Sequence, residues 1–155
     1  MEKLILPLLV ISLGLFSCLE DGLSVTFEMG GLEAEYTLKA ADVQVGKFNL
    51  ISDDISTNAP ELKQYNTELN KIESAKLKTL VISITAPETA NFSFANSASL
   101  YIQGANLGEE KIASKLAIDK SAMTIECDVE DVDVVEHIKS GMFKLRTEFD
   151  IDEVP

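Results

Sequence analysis

Leu23-Ser24-Val25-Thr26-Phe27-Glu28-Met29-Gly30-Gly31-Leu32-Glu33-Ala34-Glu35-Tyr36-Thr37-Leu38 is the stretch on which the fold turns. Leu23, Val25, Phe27 and Met29 alternate with Ser24, Thr26 and Glu28, a period of two that lays the apolar residues on one face of a half-buried strand. Leu32, Ala34, Tyr36 and Leu38 resume the alternation against Glu33, Glu35 and Thr37. Gly30-Gly31 between the two runs is a two-residue hairpin signal, because glycine accepts the positive φ angles of the favoured tight turns. The expectation is a β-hairpin that turns at these glycines.

Working outward, further β-rich runs occur at Val43 to Leu50, Leu77 to Thr85, Ser97 to Gln103, Lys111 to Ile118, Met123 to Val129 and Met142 to Ile151. Turn signals separate them, among them Ala86-Pro87, Gly104-Ala105-Asn106, Leu107-Gly108 and Asp119-Lys120. About seven or eight short strands spaced in this way predict a mainly β chain, an antiparallel β-sandwich of immunoglobulin or fibronectin type, with an open barrel as the alternative. Two segments break the pattern. In Asn58 to Ile72, the residues Leu62, Tyr65, Leu69 and Ile72 fall at helical spacing, and Asn58 with Glu61 forms a capping box. Glu130 to Ser140 carries acids at its start and His137 and Lys139 near its end, an order that complements a helix dipole, although its valines restrict it to one or two turns.

The 155 residues carry 13 basic and 26 acidic side chains, a formal net charge of −13. Such a charge repels nucleic acid phosphates and anionic head groups within a screening length of ~8 Å, so no nucleic acid partner is expected. Its default role is solubility.

Upstream of the strand pattern lies an apolar run, Leu4 to Phe16, of 13 residues. At about 1.5 Å per residue a helix of that length spans roughly 20 Å, short of the ~30 Å hydrocarbon core. Lys3 before it and a small residue after it give the layout of a secretory signal. Leu15-Phe16-Ser17-Cys18 resembles the lipobox of bacterial lipoproteins, with Leu three places before a Cys and a small residue just before it. Phe16 departs from that pattern, which has a smaller residue there. The resemblance implies cleavage between Ser17 and Cys18 and a diacylglyceryl thioether on Cys18, with acyl chains such as palmitate holding the protein on a membrane. Leu19-Glu20-Asp21 is similar to the export signal that sends lipoproteins of Bacteroidota to the cell surface. Residues 1–17 are then a signal peptide, 18–22 a lipid-anchored tether, and 23–155 a single β-sandwich domain.

A second resemblance covers residues 75–150. Leu100-Tyr101-Ile102-Gln103, Lys111-Ile112-Ala113-Ser114 and Met123-Thr124-Ile125 are similar to the strand pattern of late-embryogenesis-abundant proteins of the water-stress type. Those domains are fibronectin-like sandwiches, and the similarity implies a fold and no catalytic residues. Ala86-Pro87 follows the strand in the expected place, with Ala86 where that family has Asn.

The chemical census is short. His137 is the one histidine, beside Glu136 and Lys139 at a helix end, and nucleophilic catalysis with a histidine base would have to use it. Cys127 shares the apolar phase of Met123, Ile125 and Val129, which marks a core thiol, and with Cys18 acylated it has no disulfide partner. A Cys/His zinc site wants three or four such ligands. Glu126, Asp128, Glu130, Asp131 and Asp133 form the densest acidic run but lack the glycine and closing glutamate of an EF-hand loop. Sugar stacking would fall to Tyr101, on the polar phase of its strand, since Tyr36 and Tyr65 lie in apolar phase and there is no Trp. Phe92 and Phe94 read as core anchors of their loop, with an exposed loop patch as the alternative. The reading is a lipid-anchored, non-catalytic binding or structural module without a cofactor, its partners a membrane through Cys18 and another surface protein. A carboxylate-based hydrolase and a small-ligand or lipid binder between the sheets stay open as alternatives.

Overall fold

The computed structural model describes residues 4–6, 10–18, 24–32, 36–38, 42–57, 69–85 and 89–154, and within 4–32 it describes the backbone. Among the described residues the strands are β1 (Leu4–Leu6), β2 (Val10–Cys18), β3 (Ser24–Leu32), β4 (Tyr36–Leu38), β5 (Gly46–Ile51) and β6 (Ile55–Ser56), then β7 (Ile72–Ser83), β8 (Ala95–Gly104), β9 (Glu109–Lys115), β10 (Thr124–Glu126), β11 (Asp128–Val129) and β12 (Met142–Ile151). One α-helix, α1 (Val135–Lys139), precedes β12. The larger sheet runs β11-β9-β8-β12-β5, with β6 also on β12, and the smaller runs β10-β7-β2-β3. The short β1 and β4 pair with each other, and every ladder is antiparallel. The fold is therefore mainly β and sandwich-like, as the alternation predicts.

The core lies where the two sheets meet. Ile72, Ala75, Leu77, Leu80 and Ile82 of β7 join Ala98, Leu100 and Ile102 of β8 and Phe143, Leu145, Phe149 and Ile151 of β12 in one buried cluster. Period two in these strands puts every second side chain inside, and the hydrophobic effect holds that face at about 25 cal/mol per Å² of apolar area removed from water. Phe92 and Phe94 belong to the same cluster, so they anchor their loop in the core. Asn91 Oδ1 accepts from the Ser93 amide at 3.1 Å, capping the 3-10 turn Phe92–Phe94 that delivers both rings.

The hairpin expected at Gly30-Gly31 does not form. β3 runs straight through both glycines, and the register passes from Ile11↔Leu32 to Leu13↔Met29. Ser12 alone therefore faces the pair Gly30 and Gly31, which is a β-bulge. Glycine in a strand signals a bulge as readily as a turn, and the partner strand decides between them. That partner is β2, drawn from the apolar run read as a signal peptide.

β7 also begins earlier than its alternation suggests. Its register against β2 shifts between Ser12 and Leu13 and again between Phe16 and Ser17, leaving Lys78 and Glu73 as extra residues. Each insertion breaks the period of two, so Ile72 to Lys76 does not read as strand. The run Lys111 to Ile118 ends earlier in the structure, at Lys115, and Met123 to Val129 is split at Cys127 into β10 and β11. The strands beyond the eight runs read from the sequence are β1, β2, the short β6 and the second member of the split pair. Most of the helix expected over Asn58 to Ile72, Tyr65 included, lies outside the described residues; Leu69–Lys71 is a 3-10 turn and Ile72 opens β7. The second expected helix contracts to α1, with Ser140 as its C-cap and Gly141 at φ 84° just beyond.

Ser52 fastens the β5–β6 connection to the larger sheet. Its amide donates to the Leu145 carbonyl, the Leu145 amide donates back to Ser52 Oγ at 2.9 Å, and Oγ donates to the Asp53 carbonyl. Both Ser52 and Leu145 are buried. Ser52→Ala leaves the Leu145 amide without its partner, and a stability loss of about 1–3 kcal/mol is expected in urea unfolding. A loss below about 0.5 kcal/mol would show that this bond is dispensable.

Candidate functional site

Ser17 and Cys18 end β2, where Ser17 stands opposite both Val25 and Ile72, and Cys18 opposite Ser24. The tether Leu19 to Gly22 lies outside the described residues. Among the described residues no helix is long and apolar enough to cross a membrane.

The other residues singled out by sequence are scattered. Cys127 is 7% exposed, and burial pushes its thiol up to about 11, far from the low values of nucleophilic thiols. It occupies the break between β10 and β11, where its amide donates to the Leu80 carbonyl. His137 is half-buried, and its Nε2 lies 3.0 Å from the Gly108 carbonyl. A carbonyl only accepts, so that nitrogen carries the proton and the ring ties α1 to the β8–β9 turn. This turn is shaped by Asn106 at φ 60°.

The acidic run is spent locally. Glu130 pairs with Lys111 and Asp131 with Lys76, while Glu126 and Asp128 face solvent. Asp133 Oδ1 accepts from the Ala75 and Val135 amides, each at 3.0 Å, and so joins the start of α1 to β7. Burial alone would raise the Asp133 carboxyl, but these two amides, the Ser74 hydroxyl and Lys76 hold it below the usual range. Among the described residues no group of three or more His, Cys, Asp or Glu side chains converges in a way that could hold a metal ion.

Tyr101 is where structure adds most to the sequence reading. The Arg146 guanidinium sits 4.1 Å from its ring centroid, so one face of the only candidate stacking ring already holds a cation. Arg146 also forms a fork with Glu109, Nε to Oε1 at 2.6 Å and Nη2 to Oε2 at 2.9 Å, and reaches Glu148 at 3.1 Å. Lys47 pairs with the same Glu148. Arg146 depresses the Glu109 carboxyl, Lys47 and then Arg146 depress that of Glu148, and the two carboxylates in turn hold Arg146 firmly charged. One cluster thus spans β5, β12, β8 and the start of β9 on the outward face of the larger sheet. Sequence reasoning missed it because its members are far apart in the chain; the one available signal was an arginine in the polar phase of β12.

A cleft of about 360 Å³ lies at one end of the larger sheet, lined by Asp54, Gln103, Gly104, Ala105, Met142, Phe143 and Lys144. Its one carboxylate, Asp54, stands 3.7 Å from Lys144. Carboxylate-based glycoside hydrolysis needs two acids facing the substrate. The cleft is placed at the sheet end and not between the sheets, where an apolar ligand would have to go.

No protein-family model matches the chain, and neither does any curated protein or solved structure.

Proposed function

We propose that the protein is an exported lipoprotein in which residues 1–17 are a cleaved leader, Cys18 carries the lipid, and the acidic β domain serves as a non-catalytic binding or structural module at the outer membrane or cell surface. The observation that carries this reading is Leu15-Phe16-Ser17-Cys18 at the end of the apolar run Leu4 to Phe16, with Lys3 before it. Each buried lipid methylene contributes about 0.8 kcal/mol, so two or more acyl chains hold a domain on a membrane without a spanning helix. Within the domain the Cys127 thiol is buried and protonated, His137 is tied to a turn, and Glu130, Asp131 and Asp133 are paired with lysines or amides.

Fractionation tests it directly. Cys18→Ala is expected to move the protein out of the membrane fraction and to keep residues 1–17 attached, seen as an intact mass without added acyl groups. An unchanged membrane fraction in Cys18→Ala overturns the proposal.

A second reading is favoured by one observation, the ladder of Val10–Cys18 between β7 and β3. On that reading the stretch stays in the finished protein as an inner strand of the smaller sheet. Intact mass of the exported wild type separates the two, since the leader reading requires the loss of residues 1–17.

A further inference from the structure

We infer that removal of residues 1–17 opens a slot beside β7 and that β3 of a second copy of this chain fills it. The inference rests on the cleavage proposed above. β2 is an inner strand: eight of its residues, Val10 to Ser17, stand opposite β7, and seven stand opposite β3. Among the described strands β3 ladders only with β2, and β4 only with β1. Cleavage at Ser17–Cys18 therefore takes away the partners of β3 and β4 together and bares one edge of β7 along most of its length. The opposite edge of β7 stays covered by β10 and by bonds from Cys127, Asp133 and Val134. A long bare edge seeks another strand.

β3 fits that edge. Ile11-Ser12-Leu13-Gly14-Leu15 and Val25-Thr26-Phe27-Glu28-Met29 share one alternation. Laid in the place and direction of β2, Val25, Phe27 and Met29 stand opposite Leu80, Leu77 and Ala75, all buried residues of β7. Thr26 then meets Thr79, and Glu28 meets Lys76, a favourable charge pair in a chain whose net charge otherwise opposes self-association.

The chain's own β3 cannot take this position. It runs opposite to β2, with Leu32 near the Leu80 end, and Tyr36 packs against the core. Ile11↔Leu32 lies at the Leu80 end of β2, and Tyr36 pairs with Leu6, which precedes β2 in the chain. Reversing β3 would carry Leu32 to the Ile72 end, about 26 Å over eight residues of strand. The four links from Leu32 to Tyr36 reach at most about 14 Å, and in the other direction. The chain's own strand can enter only parallel to β7, in a sheet whose ladders are otherwise all antiparallel. A second copy, with its body beyond the Ile72 end, has no such restriction.

The test uses mature lipoprotein purified from cells in detergent. Opposed residues in an antiparallel ladder have Cα atoms about 4.5–5.5 Å apart, inside the range a disulfide bridges. Co-expressed Thr26→Cys and Thr79→Cys chains are expected to give a disulfide-linked species of twice the chain mass, absent when either is expressed alone. The full chain with residues 1–17 retained should not give it, because β2 then separates the two positions by at least two strand spacings, about 9.6 Å. Cys127 is buried and does not compete. Native mass of the wild type guards against variants that misfold: a processed, lipidated monomer overturns the exchange while leaving the leader reading intact. A Thr26→Cys, Ser74→Cys chain that crosslinks within itself also overturns it, by showing a parallel shift of the chain's own β3. An exported protein whose mass still includes residues 1–17 overturns both the leader reading and the exchange.

Discussion

Phe149→Ala is expected to lower the stability of the domain by about 3–5 kcal/mol, the cost of truncating a fully buried aromatic side chain. Phe149 is 1% exposed and sits on β12 between Ala98 of β8 and Phe48 of β5. Its ring lies 6.3 Å from both Phe92 and Phe94, which are themselves 5.9 Å apart. Removing the ring empties the middle of this trio, and the surrounding strands are held in register from both sides, so they cannot collapse into the space. Against a total stability of order 5–15 kcal/mol, the loss is a large fraction. For a chain of this size it corresponds to a fall in Tm of roughly 10 °C. Leu116→Ala, at a residue 82% exposed, is the control and should change little. A Phe149→Ala loss below about 1 kcal/mol would contradict this account of the core.

The second large effect is a loss of stability in alkali that depends on Cys127. An unfolded thiol gives up its proton near pH 8.5, whereas burial keeps the folded Cys127 protonated to about 11. Between these values the folded state binds more protons than the unfolded one, so stability falls as pH rises. The contribution is fully present below about pH 8.5 and is lost as pH climbs through 11. This interval of about 2.5 pH units corresponds to about 3 kcal/mol. The measurement is urea unfolding at pH 8 and pH 11 in a Cys18→Ser background, compared with the same chain carrying Cys127→Ala. The difference between the two chains should shrink or reverse by that amount across the interval. Burial also raises Tyr36 and gives the wild type and the variant the same additional slope, which the subtraction removes. Parallel pH profiles for the two chains would mean that the thiol ionises no differently in the folded state.

How far the sequence carries the structure depends on which interactions lie along one strand and which lie across several. β12 was legible from end to end, because Met142 to Ile151 alternates without interruption. Cys127 was legible as a core residue from its phase, and of the two readings of Phe92 and Phe94, core anchors or a loop patch, the structure has the anchors. β7 was legible only in its second half, since the bulges at Glu73 and Lys78 shift the phase of what precedes them. Gly30-Gly31 carried a real signal with two meanings, and the choice between turn and bulge was made by Ser12, eighteen or more residues away. The Arg146 cluster was legible only as an arginine in the polar phase of β12. Glu148 lies two residues along β12 from Arg146, but Asn49, Tyr101 and Glu109 meet Arg146 only once β5, β8 and β12 are side by side and β9 follows β8 back through its turn. Local alternation predicts that a residue faces outward; it does not predict its cross-strand neighbours.

The bulge at Gly30 and Gly31 lies on β3, the outermost strand of the smaller sheet. A two-for-one step on that margin bends it and breaks the even spacing of free amides and carbonyls that a newcomer would have to match. Strand-by-strand growth of that sheet therefore stops after β3. While β2 is in place, the smaller sheet is therefore finite in that direction and does not grow into a fibre.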